Sequence, residues 1–310
     1  MKLEQLAEKE LVEMGMNGVV DRSVVLRPTP IERLDLSGRR LTVIGGTNGL
    51  GRAIARQALA RGAEVTVAGR TFRDAPAEQL TFVKADLASM READRLGREL
   101  PVESDDVVLF TLGTFAAKNR EETAEHLERD IAVSYLSRFA VLRGLAPRLG
   151  TARPQGSPQP RVFVMGAPGS GATGDPDDLN TERGYTGMRA HINTVAANEA
   201  LVLGGENTLP GPAYFGLNPG VIKTGIRANY LGEGSLTHRL AETVIGLLSQ
   251  SPDTYARRIV PLLFTPDLNG RTGTLFNNKA RPILPSKGLD KDRVARFASA
   301  SDALLRQALG

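Results

Sequence analysis

The sequence predicts an α/β fold in which one doubly wound parallel sheet carries helices on both faces. Apolar runs alternate with amphipathic stretches along most of the 310 residues. Two runs, VVLF from Val107 and RVFVM from Arg161, are almost continuously apolar, which is typical of parallel strands covered on both faces. Because parallel strands need crossover helices, the alternation favours a single domain of this class.

An extension of 38 residues precedes the alternating pattern. Apolar residues spaced among charges predict a short amphipathic helix over 2–14, and a Pro-containing arm leads from there to the first strand. We expect residues 1–38 to pack on the main domain or on a partner subunit, or else to form a partly ordered tail. The main domain then covers residues 39–310.

Strands and helices alternate from residue 40 onward. Strands are predicted at 41–45, 64–69, 80–85, 107–111, 161–165, 213–217 and 274–276. Helices are predicted near 49–61, 88–99, 121–148, 184–203, 236–249 and 252–264, with a terminal helix after them. Segments 150–160 and 167–178 are rich in Gly and Pro and are predicted to be loops.

The composition excludes several classes of function. No cysteine is present, which excludes disulfides, thiolate metal sites, iron–sulfur clusters and a cysteine nucleophile. The three histidines are scattered, so no histidine-built metal site is expected. Lys and Arg total 39 against 35 Asp and Glu with the signs interleaved, which disfavours nucleic-acid binding. Since no long apolar run and no signal-peptide pattern occur, we expect no membrane span and a soluble, cytoplasmic protein.

The strongest chemical signal is a glycine-rich turn between the first strand and the first helix. Glycines let a backbone approach a diphosphate closely, and a helix N-terminus offers free N–H groups with positive potential. Strand, turn and helix follow one another in the required order, so the turn predicts a nucleotide site of the Rossmann type. Its contact residues are Gly45, Thr47, Asn48, Gly49, Leu50 and Gly51.

The end of the second strand indicates which nucleotide is bound. In a dinucleotide fold this position faces the adenosine ribose, where an acidic side chain would accept a hydrogen bond from the 2′-hydroxyl. Arg70 and Thr71 stand there instead, and a guanidinium suits a 2′-phosphate. The sequence therefore predicts NADP (NADPH) rather than NAD, the alternative being that Arg70 is a solvated arginine at a strand end.

The spacing of the turn, G-x-x-x-G-x-G, resembles that of the short-chain dehydrogenase/reductase family, and the resemblance extends from about residue 39 to residue 280. An Asp-Leu pair after the third strand and a Pro-Gly-x-Ile-x-Thr stretch after the sixth are similar to further family motifs. They imply that Asp86 contacts the adenine and that Thr224 holds the nicotinamide carboxamide. The cofactor contacts implied by the resemblance are Asp86, Leu87, Gly113, Pro219, Gly220, Ile222 and Thr224.

The family's proton chemistry uses a Tyr, a Lys four residues later, a Ser after the fifth strand and an Asn in the fourth helix. A tyrosine with a pKa of about 10 is a poor base at neutral pH unless a cation stabilises its phenolate. The resemblance implies Tyr185 as the acid/base, Arg189 as its cation and Ser134 at the position of the Asn. Arg189 is always charged, although its forked guanidinium does not simply replace a compact ammonium.

The usual Ser is missing, because residues 164–168 read VMGAP. Ser170 on the next loop is either a substitute or a solvated loop residue. On the fourth helix, which also carries Arg138, Tyr135 either replaces a lost polar group or packs in the core. These departures resemble a divergent branch of the family, and the C-terminal stretch is similar to that of retinol-dehydrogenase-like members.

The helix that follows Tyr185 carries three further polar candidates. His191 comes six residues after Tyr185 and is expected to point to another face, the alternative being that it acts as a catalytic acid/base. Asn193 and Asn198 are expected at the helix surface or at an interface. After the Pro-Gly motif, residues 225–240 contain Tyr and Leu between glycines and predict a mobile substrate lid.

The predicted function is an NADP-dependent oxidoreductase that acts on a carbonyl or secondary alcohol of a small organic substrate. One alternative is a redox-neutral enzyme of the same fold, such as a cyclase, dehydratase or epimerase in a biosynthetic pathway. The other alternative is a non-catalytic NADP-binding protein. The resemblance also implies a homo-oligomer, a dimer or a tetramer. From the composition, no nucleic acid, membrane or metal is expected as a partner.

Overall fold

A computed structural model describes residues 18–220 and 250–310 of the chain. Its eight-stranded sheet has the order β3-β2-β1-β4-β5-β6-β7-β8, and every neighbouring pair is parallel except β7 and β8. The chain crosses over between β3 and β4, so β1 and β4 lie side by side at the point where the strand order reverses. In open α/β sheets, ligands bind beyond the carboxyl ends of the strands at such a switch point.

The elements are numbered in chain order within the described ranges. The strands are β1 (Arg40–Ile44), β2 (Glu64–Gly69), β3 (Leu80–Lys84), β4 (Val107–Phe110), β5 (Arg161–Met165), β6 (Ala213–Leu217), β7 (Thr274–Phe276) and β8 (Pro282–Ile283). The helices are α1 (Gly49–Leu59), α2 (Met90–Glu99), α3 (Arg129–Ile131), α4 (Ser137–Leu145), α5 (Gly187–Thr208), α6 (Pro252–Phe264) and α7 (Lys291–Leu309). A π-helical turn, Ala132–Leu136, joins α3 to α4 in one continuous helix.

Helices cover both faces of the sheet, as the sequence predicts. One apolar layer packs α2, α4, α5 and α7 against the sheet, and the other packs α1 and α6. The strands β4, β5 and β6 are buried at every residue, which explains their nearly unbroken apolar sequences. No helix of the described ranges is both long enough and apolar enough to cross a membrane.

All seven predicted strands are present, and within residues 18–220 and 250–310 the two-residue β8 is the only strand that was not predicted. The fourth helix was predicted from residue 121 but begins at Arg129, because Glu122 and Glu128 form an isolated antiparallel bridge ahead of it. The predicted helices at 2–14 and 236–249 and the predicted lid at 225–240 lie outside the described residues.

The arm ahead of β1 runs along the domain. Val20 forms an antiparallel bridge with Ile283 of β8, and the Asp21 amide donates to the Pro282 carbonyl at 2.9 Å. Further along, Ile31 and Leu36 are buried in the layer that contains α1 and α6. The described part of the arm thus adds to the outer edge of the sheet and to its core.

Candidate active site

The turn after β1 packs so tightly against the end of β4 that it admits only glycine at two positions. Gly45 has a φ of +93°, and a Cβ there would lie 2.5 Å from the backbone nitrogen of Leu112. A Cβ on Gly51 would collide with Oγ1 of Thr111 and lie 2.6 Å from the Gly45 carbonyl oxygen. These two predicted cofactor residues therefore bring the first turn of α1 against the switch point of the sheet.

The start of α1 keeps its hydrogen-bonding capacity for a ligand. Gly49 opens the helix with a φ of +51°, and a Cβ there would meet no atom within 4 Å. The exposed N-cap residue, Asn48, makes no side-chain capping bond to the helix. Because the first N–H groups of a helix have no intrahelical acceptors, this open N-terminus is suited to an anion. Thr47 and Leu50, both half-buried, flank the opening.

The loop after β2 is fastened to α1 by two arginines of that helix, while the side chain of Arg70 at the start of the loop stays unbonded. Arg52 and Arg56 of α1 both bind the carboxylate of Asp74, at 3.0 and 2.6 Å. Arg52 also donates to the Arg73 carbonyl at 2.7 Å. Arg70 is exposed and, within the described part of the chain, makes no hydrogen bond or ion pair. Its neighbour Thr71 is also exposed.

The remaining predicted cofactor residues lie at the ends of other strands. Asp86 is exposed and Leu87 is buried just after β3, while Gly113 is exposed after β4. After β6, the Gly220 amide donates to the side chain of Asn218 at 2.9 Å. Pro219 lies between them, half-buried. Ile222 and Thr224 lie outside the described residues.

Three side chains form a hydrogen-bonded chain between the π-helical turn and α5. Ser134 donates to Oδ1 of Asp130 at 2.6 Å and accepts from the Thr114 amide at 2.8 Å. The other oxygen of Asp130 lies 2.9 Å from Nδ1 of His191. Asp130 is fully buried, whereas the side chain of His191 is 29% exposed. The predicted catalytic residue Ser134 is thus linked to a histidine that was expected to face elsewhere.

A buried arginine ties the ends of β4 and β5 together beneath this chain. Arg138 donates to the carbonyls of Leu112 and Met165, the latter at 2.6 Å, and to Oδ1 of Asn198 at 2.7 Å. Burial lowers the pKa of Arg138 to about 9, and Asp130 opposes that shift. Arg138 therefore remains cationic at neutral pH. It fixes the backbone that carries Gly113.

The structure does not bring Tyr185 and Arg189 together. The Tyr185 hydroxyl donates to the Ala117 carbonyl at 2.7 Å, and burial raises its pKa to about 12, with nearby carboxylates adding to the shift. Arg189 donates to the Arg183 carbonyl and binds Asp175 and Asp178, each at 3.2 Å. The predicted pairing of the phenol with this cation is therefore not formed, because the two aspartates hold the guanidinium.

The glycine-rich loop after β5 is hydrogen-bonded to a buried carboxylate of α5. Glu199 accepts hydrogen bonds from the Gly169 amide at 3.0 Å and from both the amide and the hydroxyl of Ser286. Burial raises the pKa of Glu199, and these donors partly offset the effect. The Ser170 hydroxyl on the same loop is buried without a hydrogen-bond partner in the described ranges.

The structure also shows where Tyr135, Asn193 and Asn198 lie. Tyr135 points away from the chain of Ser134 and is fully buried, with its hydroxyl 2.5 Å from Ser301 of α7. The prediction that Asn193 and Asn198 lie at a surface is wrong, because both are buried. Asn193 bonds the backbone of Asp175 and Asp178, and Asn198 is the partner of Arg138.

Sequence reasoning missed Asp130, although it stands one helical turn before Ser134. That spacing alone would have indicated a possible contact within one helix. The partner of Asp130 is 61 positions away, and no local pattern marks it. The pair is visible only once α5 is placed beside α3.

The chain is similar to known oxidoreductases over most of its length. No protein-family model matches the sequence. An uncharacterized oxidoreductase of Saccharomyces cerevisiae is 46% identical over 283 residues, which cover 90% of this chain and 92% of that protein. A polyprenol dehydrogenase of Mus musculus is 26% identical, over 84% of this chain and 79% of that protein.

Solved structures share the fold. An uncharacterized protein from Mycobacterium paratuberculosis has a TM-score of 0.65 at 21% identity, covering 90% of this chain and 98% of that one. A short-chain dehydrogenase from Shigella flexneri, complexed with NADP, has a TM-score of 0.57 at 17% identity, covering 80% and 100%. At such identities these structures support the fold alone. The yeast relative shares both the length and nearly half of the residues, and this chain therefore belongs to the short-chain dehydrogenase/reductase family of oxidoreductases.

Proposed function

We propose that the enzyme uses NADP and interconverts a carbonyl group and a secondary alcohol on a small organic molecule. The observation that carries the proposal is the open glycine turn of β1 and α1 beside an unbonded Arg70. An arginine without a protein partner retains its full capacity to bind a phosphate. The proposed substrate class follows from the family and from the polar side chains near Gly113.

The residues present fit a nicotinamide dinucleotide. The space beside Gly49, which a Cβ would fill, and the uncapped N-terminus of α1 suit the diphosphate. Arg70 and Thr71 would hold the 2′-phosphate, and Asp86 and Leu87 would contact the adenine. When bound, the reduced cofactor supplies a hydride to the substrate carbon. The proposed contacts on the nicotinamide side are Gly113, Pro219, Gly220, Ile222 and Thr224.

Calorimetry with NADPH, and with NADH as the reference, tests the cofactor. We expect Arg70→Ala to weaken NADPH binding by about 10- to 100-fold, since a charge-assisted hydrogen bond contributes about 1.5–3 kcal/mol. Binding of NADH should hardly change. Arg306→Ala is the matched control, because it removes the same charge from an exposed residue of α7. Equal affinity for the two cofactors, or no binding of either, would contradict the proposal.

The predicted roles of Tyr185, Arg189 and Ser134 in the reaction stay predictions. Turnover by Tyr185→Phe is the direct test of Tyr185 as the proton donor, and unchanged turnover would exclude that role. Ser134 belongs to the same group of side chains as Asp130 and His191. We expect Ser134 to position these groups and the loop of Gly113.

A redox-neutral reaction on the same cofactor site is the second candidate. It is favoured by the altered catalytic set, in which Gly166 and Ala167 follow β5 and Arg189 is bound to aspartates. Transfer of deuterium from labelled NADPH into the product supports reduction, and product without label supports the redox-neutral reaction. Tight NADPH binding without turnover of any carbonyl or alcohol would favour a non-catalytic protein.

We also propose a cytoplasmic homo-oligomer with a single catalytic domain over residues 39–310 and a substrate lid near 225–240. The family resemblance implies assembly through the fourth and fifth helices. In this chain α7 packs on α5, so an interface there would have to use the side that α7 leaves open. Met188 and Ile192, which are exposed on α5, lie on such a side.

A further inference from the structure

We infer that His191 is the residue that exchanges a proton with the substrate oxygen in the reaction proposed above. The inference rests on that proposed function. In the family a tyrosine has this role, and here we assign it to the histidine that is paired with Asp130. Three observations carry it: the bonding of the imidazole, its position at the sheet edge and the state of the competing Tyr185.

The imidazole is oriented by a carboxylate that has no access to solvent. Asp130 lies 2.9 Å from Nδ1 of His191, and Ser134 donates to the other carboxylate oxygen at 2.6 Å. An aspartate at Nδ1 keeps a proton on that nitrogen and stabilises the imidazolium. Nε2 has no hydrogen-bond partner among the described residues and is therefore the nitrogen left to act.

The ring lies at the carboxyl edge of the sheet, where the nicotinamide side of the cofactor site is proposed. His191 packs against Phe115, with their ring centroids 4.5 Å apart. Phe115 follows the Gly113–Thr114 turn, and the Thr114 amide is bonded to Ser134. The imidazole is 29% exposed, which leaves it accessible to a substrate and to water that can return a proton.

Tyr185 is less suited to the same task. Its hydroxyl is already donated to the Ala117 carbonyl, and burial raises its pKa to about 12. Arg189, the predicted cation, is bound to Asp175 and Asp178. Arg120 lowers the pKa of Tyr185, but burial and nearby carboxylates outweigh its effect. An acid/base group must also reach the substrate oxygen with a free atom, and Nε2 of His191, unlike the Tyr185 hydroxyl, has no hydrogen bond among the described residues to break first.

In the direction of reduction, the carbonyl carbon accepts a hydride from the reduced nicotinamide, which becomes oxidised. The π electron pair of the C=O bond moves to oxygen and forms an O–H bond with the proton of Nε2. The neutral imidazole then regains a proton from solvent. Oxidation of the alcohol reverses each step, with Nε2 as the base.

Four variants test the assignment, with reduction of a panel of aliphatic and aromatic ketones and aldehydes by NADPH as the assay. We expect His191→Gln and His191→Ala to lower the single-turnover rate by about 10²- to 10⁴-fold, the range for loss of a general acid. Added imidazole should restore part of the rate of His191→Ala. Asp130→Asn should lower the rate because it removes the carboxylate that orients the ring. His126→Asn is the control, since His126 is the other described histidine near a carboxylate but is 87% exposed.

A second readout is independent of turnover. The chain has three histidines, so the imidazole proton signals of the apo protein are few and can be assigned with His191→Gln and His126→Asn. We expect a downfield Nδ1 proton for His191 that is lost in Asp130→Asn. Addition of NADP should shift the ring signals of His191 and leave those of His126 in place. Circular dichroism checks that each variant is folded.

The outcomes separate the two proposals. If the wild type does not bind NADPH or reduces none of the carbonyls, the proposed function fails and this inference falls with it. If the wild type reduces a carbonyl and His191→Gln keeps its rate, the inference alone is overturned. It is likewise overturned if NADP binds but leaves the His191 signals unchanged. Loss of rate, rescue by imidazole and a shift of the His191 signals together support it.

Discussion

The two halves of the carboxyl edge of the sheet differ in what their polar groups bond to. In the nucleotide half, which we define as the β1–α1 turn and the end of β2, the backbone of glycines packs closely against Thr47, Thr111 and Leu112. Arg70 and the side chain of Asn48 have no bonded partner there within the described chain. We define the substrate half as residues 111–115, α3 to α4 and the start of α5. There, Asp130 is hydrogen-bonded to both Ser134 and His191, and Arg138 donates to the Met165 carbonyl.

The difference shows two ways to prepare a site. The nucleotide half leaves donors open, so a ligand supplies the missing acceptors. The substrate half bonds most of its buried polar groups internally, with Nε of Arg138 as an exception, which fixes their orientation before any ligand arrives. We therefore expect side-chain changes to be costly in the substrate half and backbone changes to be costly in the nucleotide half.

The largest expected effect is on stability, from Arg138→Met. This change removes the donor of three hydrogen bonds in the interior, which the Leu112 and Met165 carbonyls and the Asn198 side chain accept. Leaving a buried acceptor without its donor costs about 1–3 kcal/mol of unfolding free energy, and three acceptors are affected here. Arg52→Met on α1, next to the nucleotide half, is the comparison, and its partly exposed pair with Asp74 contributes about 1 kcal/mol or less. Urea denaturation measures the unfolding free energy of both variants. Equal losses would contradict the proposed difference between the two halves.

Asp105 sharpens the comparison because it is a buried carboxylate outside both halves. It accepts one side-chain hydrogen bond, from Thr42 at 2.6 Å, and burial raises its pKa from 3.8 to about 6. The folded state then binds more protons than the unfolded state between these values. The stability that this group contributes is therefore complete at low pH and is lost as pH rises through about 6.

Between pH 4 and pH 7 we expect the wild type to lose up to about 3 kcal/mol of unfolding free energy relative to Asp105→Asn. Denaturation of both proteins at several pH values measures the difference. A difference that stays constant with pH would contradict the raised pKa of Asp105. Thr42→Val should move the loss to higher pH, because it removes the hydrogen bond that favours the carboxylate.

A backbone test of the comparison uses two glycines. Gly51→Ala places a Cβ against Thr111 and the Gly45 carbonyl, and such overpacking costs about 1–3 kcal/mol. It should also weaken NADPH binding. Gly166→Ala, directly after β5, is the control, because its Cβ would lie 3.4 Å from the nearest atom, Cβ of Asn198. Thermal denaturation should show a clear loss for the first variant and little for the second.

The smallest expected effect is that of Tyr185→Phe. The change removes one hydrogen bond to the Ala117 carbonyl, which contributes about 1 kcal/mol to stability. Turnover should stay close to that of the wild type if His191 is the proton donor. A loss of turnover as large as that of His191→Gln would return the role to Tyr185.

The nucleotide half could be predicted from the sequence because it depends on short-range pattern. Gly45, Gly49 and Gly51 lie within seven consecutive residues where a strand is followed by a helix, so the glycine pattern can be recognised from a short stretch of sequence. The strands were equally predictable, since buried parallel strands have continuous apolar sequences. Even so, the backbone contact of Gly45 with Leu112 joins residues 67 positions apart and became visible only in the structure.

The substrate half could not be predicted in the same way, because its contacts join distant elements. The family spacing predicted that Arg189, four residues after Tyr185, pairs with that tyrosine. The spacing carries no information about Asp175 and Asp178, which bind Arg189 instead. The Asp130–His191 pair likewise depends on the packing of α5 beside α3. Side-chain chemistry that rests on tertiary contacts needs the fold before it can be assigned.

The π-helical turn makes the length of this helix as important as its composition. Asp130 precedes the turn and Arg138 follows it, so the turn sets the angle between them around the helix axis. A π-helical turn holds about one residue more than an α-helical turn for nearly the same rotation, so the extra residue is taken up within the turn. Removing one residue, such as Val133, would let the turn close into an α-helix and would shift Ser134, which lies inside the turn, relative to Asp130 and the Thr114 amide. Such a deletion would thus break the hydrogen bonds of Ser134 without changing any functional side chain.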